Sequence, residues 1–300
     1  MRFRPVKIFA ILLLVSCSLL LVAGLWWQDF IGTALLPPQP QLIVIKPGTS
    51  FTSTSMQLEQ AGVISDAQRF ALLARWHQAT GRVHAGDYLF EAAARPKEVL
   101  DRLVSGDVRK VQVTIPEGFN LQEIAARVEL AGIATADDFL AQAKAPERLS
   151  SLGVETGSLE GYLFPETYTV DAATTASRLI QLMLTQLELQ LTSDLLLKAE
   201  QLNLNRHQLI TLASIVQKEA GNVMEMPLIA SVFHNRLQRG IPLQADPTVI
   251  YDAANYDGNL TRKHLETPTP YNTYRKRGLP PGPIASPGLA ALTAAADPAE

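Results

Sequence analysis

The run from Arg206 to Asn222 sets Leu209, Leu212, Ile215 and Val216 at helical spacing, and Glu219 falls two turns beyond Leu212 on nearly the same face. This predicts a carboxylate pointing into an apolar interior. Such a group is either paired or kept neutral at working pH because burial raises its pKa, and the neutral form is what a general acid needs. Asn205 with Gln208 forms a capping-box pattern and Gly221 a C-terminal stop, so Glu219 belongs to the last turn. There the negative end of the helix dipole also favours the proton. A structural ion pair with an arginine such as Arg236 is the competing reading, and helix geometry leaves both open.

Other polar groups cluster after Gly157, in loops rather than on helix faces. In Leu159 to Tyr168, Glu160 and Glu166 alternate with Tyr162 and Tyr168, a composition able to stack on and hydrogen-bond a sugar. Each also has a plain structural use: Phe164 and Leu163 as core, Pro165 as a turn, either Glu as a solvated charge. A helix from Pro227 to Arg239 carries Ile229, Val232 and Phe233 inward and brings Asn235 and Arg236 within a small rotation of that stripe. Gln244 and Asp246 precede another helix, where Asp246 before Pro247 suits either a site or an N-cap with Pro at N1. Tyr271 to Tyr274 includes Asn272, and the prolines from Gly278 to Ser286 stiffen the loop that follows into a wall with little ordering entropy left to lose.

Several chemistries are excluded. Cys17 is the only cysteine and the five histidines are scattered, so neither a disulfide framework nor a metal or cofactor site is expected. There is no nucleophile elbow, phosphate loop or dinucleotide fingerprint. Setting aside Arg2, Arg4 and Lys7 leaves 23 basic against 29 acidic residues, a charge of −6 that disfavours nucleic acid.

The elements that must position these groups follow a simple plan. Residues 1–7 are a basic cytoplasmic N-terminus, and the uncharged residues 8–27 match the ~20 residues needed to cross a bilayer. Trp26 and Trp27 suit the far interface, and the basic flank predicts export of everything beyond it. A cleaved signal peptide would be shorter. Leu14 to Cys17 resembles a lipoprotein processing box, but the chain stays apolar to Trp27, so an uncleaved anchor is the better reading.

Residues 28–41 form a Pro-rich linker, a semi-rigid spacer. An internal repeat at an offset of 70 residues follows. Ile43 to Ser50 aligns with Val113 to Asn120, and Leu58 to Ser65 with Val128 to Thr135. Each copy reads as strand, Gly turn, helix and a second helix, giving modules at 42–110 and 111–156 before a mixed α+β domain at 157–300. The modules resemble the lysin-motif fold used on cell-wall glycans. Neither copy shows a row of aromatic residues for sugar stacking, which favours a structural role.

Taken in order, Ser158–Tyr168, Ala213–Ala220, Val232–Leu237, Leu243–Tyr251, Tyr271–Tyr274 and Gly278–Gly288 resemble the membrane-anchored endolytic murein transglycosylases. The resemblance implies an enzyme of the bacterial inner membrane, single-pass with a periplasmic catalytic part, and no cofactor. Its action would be to cut the MurNAc–GlcNAc bond within peptidoglycan strands to leave 1,6-anhydroMurNAc ends, terminating or trimming nascent strands. Glu219 matches the family's catalytic glutamate. Glu160, Tyr162, Glu166, Tyr168, Asn235, Arg236, Gln244, Asp246, Asn272 and Tyr274 become substrate-binding candidates, while Gln217 and Lys218 are expected to face away. Partners would be glycan strands, the membrane and peptidoglycan synthases. Family members continue past the alanine-rich helix where this chain stops at Glu300, so a C-terminally short domain is expected. The alternative is a non-catalytic cell-wall-binding scaffold of the envelope synthesis machinery.

Overall fold

A computed structural model describes residues 5–151, 154, 156–251, 253 and 257–299. Arg2 and Arg4, part of the basic flank, lie outside the described residues. The architecture is α+β and divides into two compact units, Met1–Lys110 with Asp171–Ala173 and Val111–Val170 with Thr174–Glu300.

In the first unit, α1 (Pro5–Gly32) contains the 22-residue stretch Ile11–Gly32, which is long and apolar enough to cross a bilayer. The residues read as a spacer are tethered. Phe30 is buried with Trp27 and Ile31 against the core of this unit, and Leu35 exchanges 3.0 Å backbone bonds with Ala94. The first repeat copy follows as β1 (Gln41–Ile45), α2 (Phe51–Gln60), α3 (Ala67–Trp76) and β2 (Gly86–Phe90). β1 and β2 pair antiparallel, from Gln41 opposite Phe90 to Ile45 opposite Gly86. α4 (Pro96–Ser105) has Pro at its first turn.

The second copy repeats the order with β3 (Lys110–Thr114), α5 (Leu121–Leu130), α6 (Ala136–Ala143) and β4 (Thr167–Asp171). Equivalent polar residues cap equivalent helices: Ser50 and Asn120 accept from the third residue beyond, as do Asp66 and Thr135. Gly48 and Gly118 both hold positive φ in the turn before the first helix. The closing strand is delayed in this copy. Between α6 and β4 lie α7 (Pro146–Ser151) and the loop holding Glu160 and Glu166.

The rest of the second unit is helical: α8 (Ala176–Gln190), α9 (Ser193–Gln201), α10 (Arg206–Glu219), α11 (Met226–Gln238), α12 (Asp246–Tyr251), α13 (Arg262–Glu266) and α14 (Leu289–Ala296). α10 is buried from Leu209 to Val216, and the alanine face of α14 packs on α10 and α11. The small side chains of α14 let it lie close to both helices. One core runs from Val113 to Ala296, so the second copy and the helices share an interior.

The inward stripe of α11 differs from the sequence expectation. Met226, Ala230, Phe233 and His234 are buried, while Val232 is exposed and Ile229 only partly covered. His234 turns inward because its Nε2–H donates to the Ala295 carbonyl at 2.8 Å, rotating the face toward α14.

Candidate active site

α10 begins with the expected capping box, Asn205 Oδ1 accepting from Gln208 N–H and Gln208 Oε1 from Asn205 N–H, each at 2.9 Å. It ends at Glu219, and Ala220 leaves in an extended conformation. Glu219 is half-buried, and among the described residues it makes no ion pair. Burial raises its pKa first, the neighbouring Asp246 carboxylate raises it further, and the Asp246 backbone N–H, which donates to it, opposes both. Of the two readings left open by the sequence, the structure has the unpaired one. Arg236 spends its Nη1 elsewhere, on the Pro242 and Leu243 carbonyls and Gln244 Oε1 at 3.1, 2.8 and 2.9 Å.

Around Glu219 the rim is built from three segments distant in sequence. The Tyr274 hydroxyl donates to Asp246 Oδ1 at 2.5 Å, and that bond to a carboxylate, with burial next, pushes the phenol up to about 12. Gln244 holds the left-handed conformation, φ +55, pinned by its N–H on the Thr273 carbonyl and by Arg236 on its side chain. Thr248 and Thr273 exchange a buried hydroxyl contact at 2.9 Å that ties α12 to the 271–274 segment. Asp246, Tyr274, Arg236 and Gln244 therefore form one bonded frame, with Glu219 against its acidic member.

Beside this frame lies a cavity of about 790 Å³ with Glu160 in its wall. Glu160 is 5% exposed; both its oxygens accept from the Leu121 N–H at 3.1 Å, and the Tyr251 hydroxyl donates to it at 3.2 Å. Burial raises its pKa to about 7 against the lowering effect of those bonds. The loop that carries it must pass tightly: Gly161 has φ +77, and a Cβ there would fall 2.2 Å from Pro283 Cβ. Lys218 also lines the cavity and donates to the Gly118 carbonyl at 3.3 Å. Consecutive helical residues point about 100° apart, so Lys218 reaches the cavity wall while Glu219 turns toward Asp246. Gln217 does turn elsewhere, accepting from Gly288 N–H at 3.0 Å and fixing the start of α14.

Of the remaining candidates, Tyr162, Tyr168 and Asn272 are engaged in hydrogen bonds to neighbouring segments, and Glu166 and Asn235 are exposed. The Tyr162 hydroxyl lies 2.6 Å from His207 Nδ1, and His207 Nε2 lies 2.7 Å from the Pro281 carbonyl. A carbonyl only accepts, so Nε2 carries a proton and donates to Pro281, while Nδ1 bonds the Tyr162 hydroxyl. Together with the Ile284 N–H on Ser214 Oγ at 3.1 Å, this fastens the proline loop to α10. Tyr168 is buried and donates to the Phe164 carbonyl at 2.6 Å. Glu166 is exposed and folds back on the Thr167 N–H. Asn272 is buried, its Nδ2 donating to the carbonyls of His264, Leu265 and Thr267 while Oδ1 accepts from Tyr274 N–H. Asn235 is exposed on α11. Sequence reasoning missed Tyr251 and Lys144 as cavity residues. Tyr251 carried a signal, since a phenol at the end of a short capped helix is well placed to meet a buried carboxyl; Lys144 carried none.

The fold and site thus define an α+β protein with a carboxyl of raised pKa at a helix end, without an ion pair among the described residues, set in a polar frame beside a cavity. Residues 43–300 match the YceG-like family, and the chain belongs to that family. It is 32% identical over 323 residues to a protein named endolytic murein transglycosylase from Streptococcus pneumoniae serotype 2, covering 96% of this chain and 58% of that protein. A protein of the same name from Bacillus subtilis strain 168 is 33% identical over 273 residues, covering 85% of this chain and 75% of its own length. The chain therefore spans little more than half the length of the streptococcal relative. A crystal structure of a YceG-like protein from Listeria monocytogenes is similar over 87% of this chain and 91% of its own, with TM-score 0.59 and 30% identity.

Proposed function

We propose that this chain is an endolytic lytic transglycosylase that cleaves the MurNAc–GlcNAc bond within peptidoglycan strands, with Glu219 as its acid and base. The observation that carries the reading is the Glu219 carboxyl, half-buried, without an ion pair among the described residues, and biased toward its protonated form by burial and by Asp246. Protonated Glu219 gives its proton to the glycosidic oxygen as the bond to muramoyl C1 breaks, and the GlcNAc 4-hydroxyl leaves. As a carboxylate it then takes the proton of the muramoyl 6-hydroxyl while that oxygen bonds to C1. The product is a 1,6-anhydro end, and Glu219 is restored without water. A second catalytic carboxylate is unnecessary because the nucleophile belongs to the substrate. Asp246, held by Tyr274, places negative charge near the oxocarbenium-like centre, and Gln244 and Arg236 shape the pocket for an acetamido group.

In this reading α1 anchors the chain in the inner membrane with its N-terminus in the cytoplasm, following Arg2, Arg4 and Lys7. The strand–helix–helix–strand order of both repeat copies supports the lysin-motif likeness, in a scaffolding role. The homologues' printed name supports murein as the substrate. The test is to incubate the full chain in detergent with purified glycan strands, beside Glu219→Gln, and read the ends by mass spectrometry. Anhydro ends from the parent alone support the proposal. A folded parent that binds strands but leaves no such ends refutes it in favour of the scaffold.

A further inference from the structure

The end of α1 is built into the first unit instead of trailing from it. Phe30 is 1% exposed, with Trp27 and Ile31 packed on the same core, so the apolar helix and the first repeat copy share one interior. Trp26 is half-exposed, and the exposed carboxylate of Asp29, three residues on, marks where the chain has left hydrocarbon. Over the Trp26 ring, 3.9 Å from its centroid, lies the Arg69 guanidinium of α3. Arg69 is fixed there, with Nε donating to Asp66 Oδ2 at 3.1 Å and Nη1 to the Trp26 carbonyl at 3.5 Å. With Trp26 at the far interface, α3 begins at that level.

The outer face of α3 has the composition of an interfacial helix. Phe70, Leu73 and Ala74 are buried, while Gln68, Leu72, Arg75 and Trp76 share the exposed side. Trp76 is 79% exposed and Leu72 49%. A tryptophan so open to water adds little to the unit's own core, and tryptophan is a side chain that membrane interfaces enrich. The Arg75 stem can lie along the stripe with its guanidinium among the phosphates. From Ala67 to Gly86 the chain has no Asp or Glu, so approach to a bilayer presses no carboxylate of this segment against lipid. Arg69 and Trp76 are seven residues apart, about 10 Å along a helix, so the stripe starts at the anchor and runs a short way out from it. We propose that this face of α3, centred on Leu72 and Trp76, is a second membrane contact, seated in the outer interface of the bilayer that α1 spans. This rests on the reading of α1 as an uncleaved anchor and goes beyond it, since an anchor needs no second contact. A lone spanning helix tilts within a wide range. A contact off its axis sets that tilt, and with it the stance of the first repeat copy on the lipid.

The test uses the full chain in vesicles of phosphatidylethanolamine and phosphatidylglycerol, with a nitroxide on single cysteines. Depth is read from the label's exposure to oxygen against an aqueous nickel chelate. Native Cys17, exposed on α1 near the middle of the uncharged run, reports the anchor. Leu72→Cys and Gln68→Cys, each with Cys17→Ser, report α3, with circular dichroism confirming the fold. The expected result is a Cys17 label in hydrocarbon and a Leu72→Cys label roughly 5–10 Å into the headgroup boundary. Adding Trp76→Asp to the Leu72→Cys chain should return that label to water. A Cys17 label in hydrocarbon with both α3 labels in water overturns the second contact and leaves the anchor intact. A Cys17 label in water removes the anchor itself, and the proposal falls with it. Shielding of the α3 labels that needs added glycan strands, or that grows with the protein-to-lipid ratio, assigns the face to sugar or to a second copy and also overturns it. So does a lipid depth that Trp76→Asp leaves unchanged.

Discussion

Glu160 offers a stability measurement that isolates one buried carboxyl. Its pKa rises from 4.5 to about 7 because burial outweighs the Leu121 and Tyr251 bonds. At about 1.4 kcal/mol per pH unit, ionising it in the folded state costs on the order of 3 kcal/mol relative to the unfolded chain. The sign follows from proton binding. Below pH 4.5 both states hold the proton and there is no penalty. Between 4.5 and about 7 only the unfolded state releases it, so stability falls as pH rises, and above 7 the full penalty applies. Glu160→Gln keeps an oxygen for Leu121 N–H and Tyr251 and removes the charge. The variant should match or trail the parent at pH 4.5 and exceed it by about 2–3 kcal/mol at pH 8. Urea unfolding of the full chain in detergent, followed between pH 4.5 and 8, reads the difference. A parent–variant gap that stays constant across that range would show Glu160 ionised throughout, and the burial argument would be wrong.

Other expectations are sharper in direction than in size. Asp246→Asn keeps the backbone N–H to Glu219 and an acceptor for Tyr274 but removes the charge that raises the Glu219 pKa, so the alkaline limb of the pH–rate profile for anhydro ends should move to lower pH; an unmoved limb contradicts the coupling. Arg236→Ala strips three acceptors of one donor and should lower stability by about 1–3 kcal/mol and slow cleavage as Gln244 leaves its left-handed conformation, checked by melting and product release. Gly161→Ala adds a Cβ 2.2 Å from a proline ring at φ +77 and should cost about 3 kcal/mol or more, whereas Gly288→Ala meets only the movable Glu117 carboxylate and should stay within about 1 kcal/mol; equal melting temperatures for the two would refute the distinction.

What the sequence made legible and what it hid divide along the range of the interactions. α10 was readable from its capping box and apolar spacing to within a residue of each end, and Glu219 with it, because helix faces depend on residues three or four apart. The repeat was readable because two copies of one local pattern repeat their caps and glycines. The second copy's closing strand was not, since β4 comes only after the Glu160 loop has been inserted, and pairing depends on where the chain returns. The same limit governs the site. Asn272 and Tyr274 stand two residues apart in a polar stretch that suits sugar binding. One of them spends every donor holding 264–267 in place, and the other crosses 28 residues to Asp246. Amide and phenol chemistry is identical in the two roles, so only the positions of the partners decide between them. Tyr162 and Asn272 hold neighbouring segments together through partners 45 and five to eight residues away, which neither side chain's type announces in the sequence.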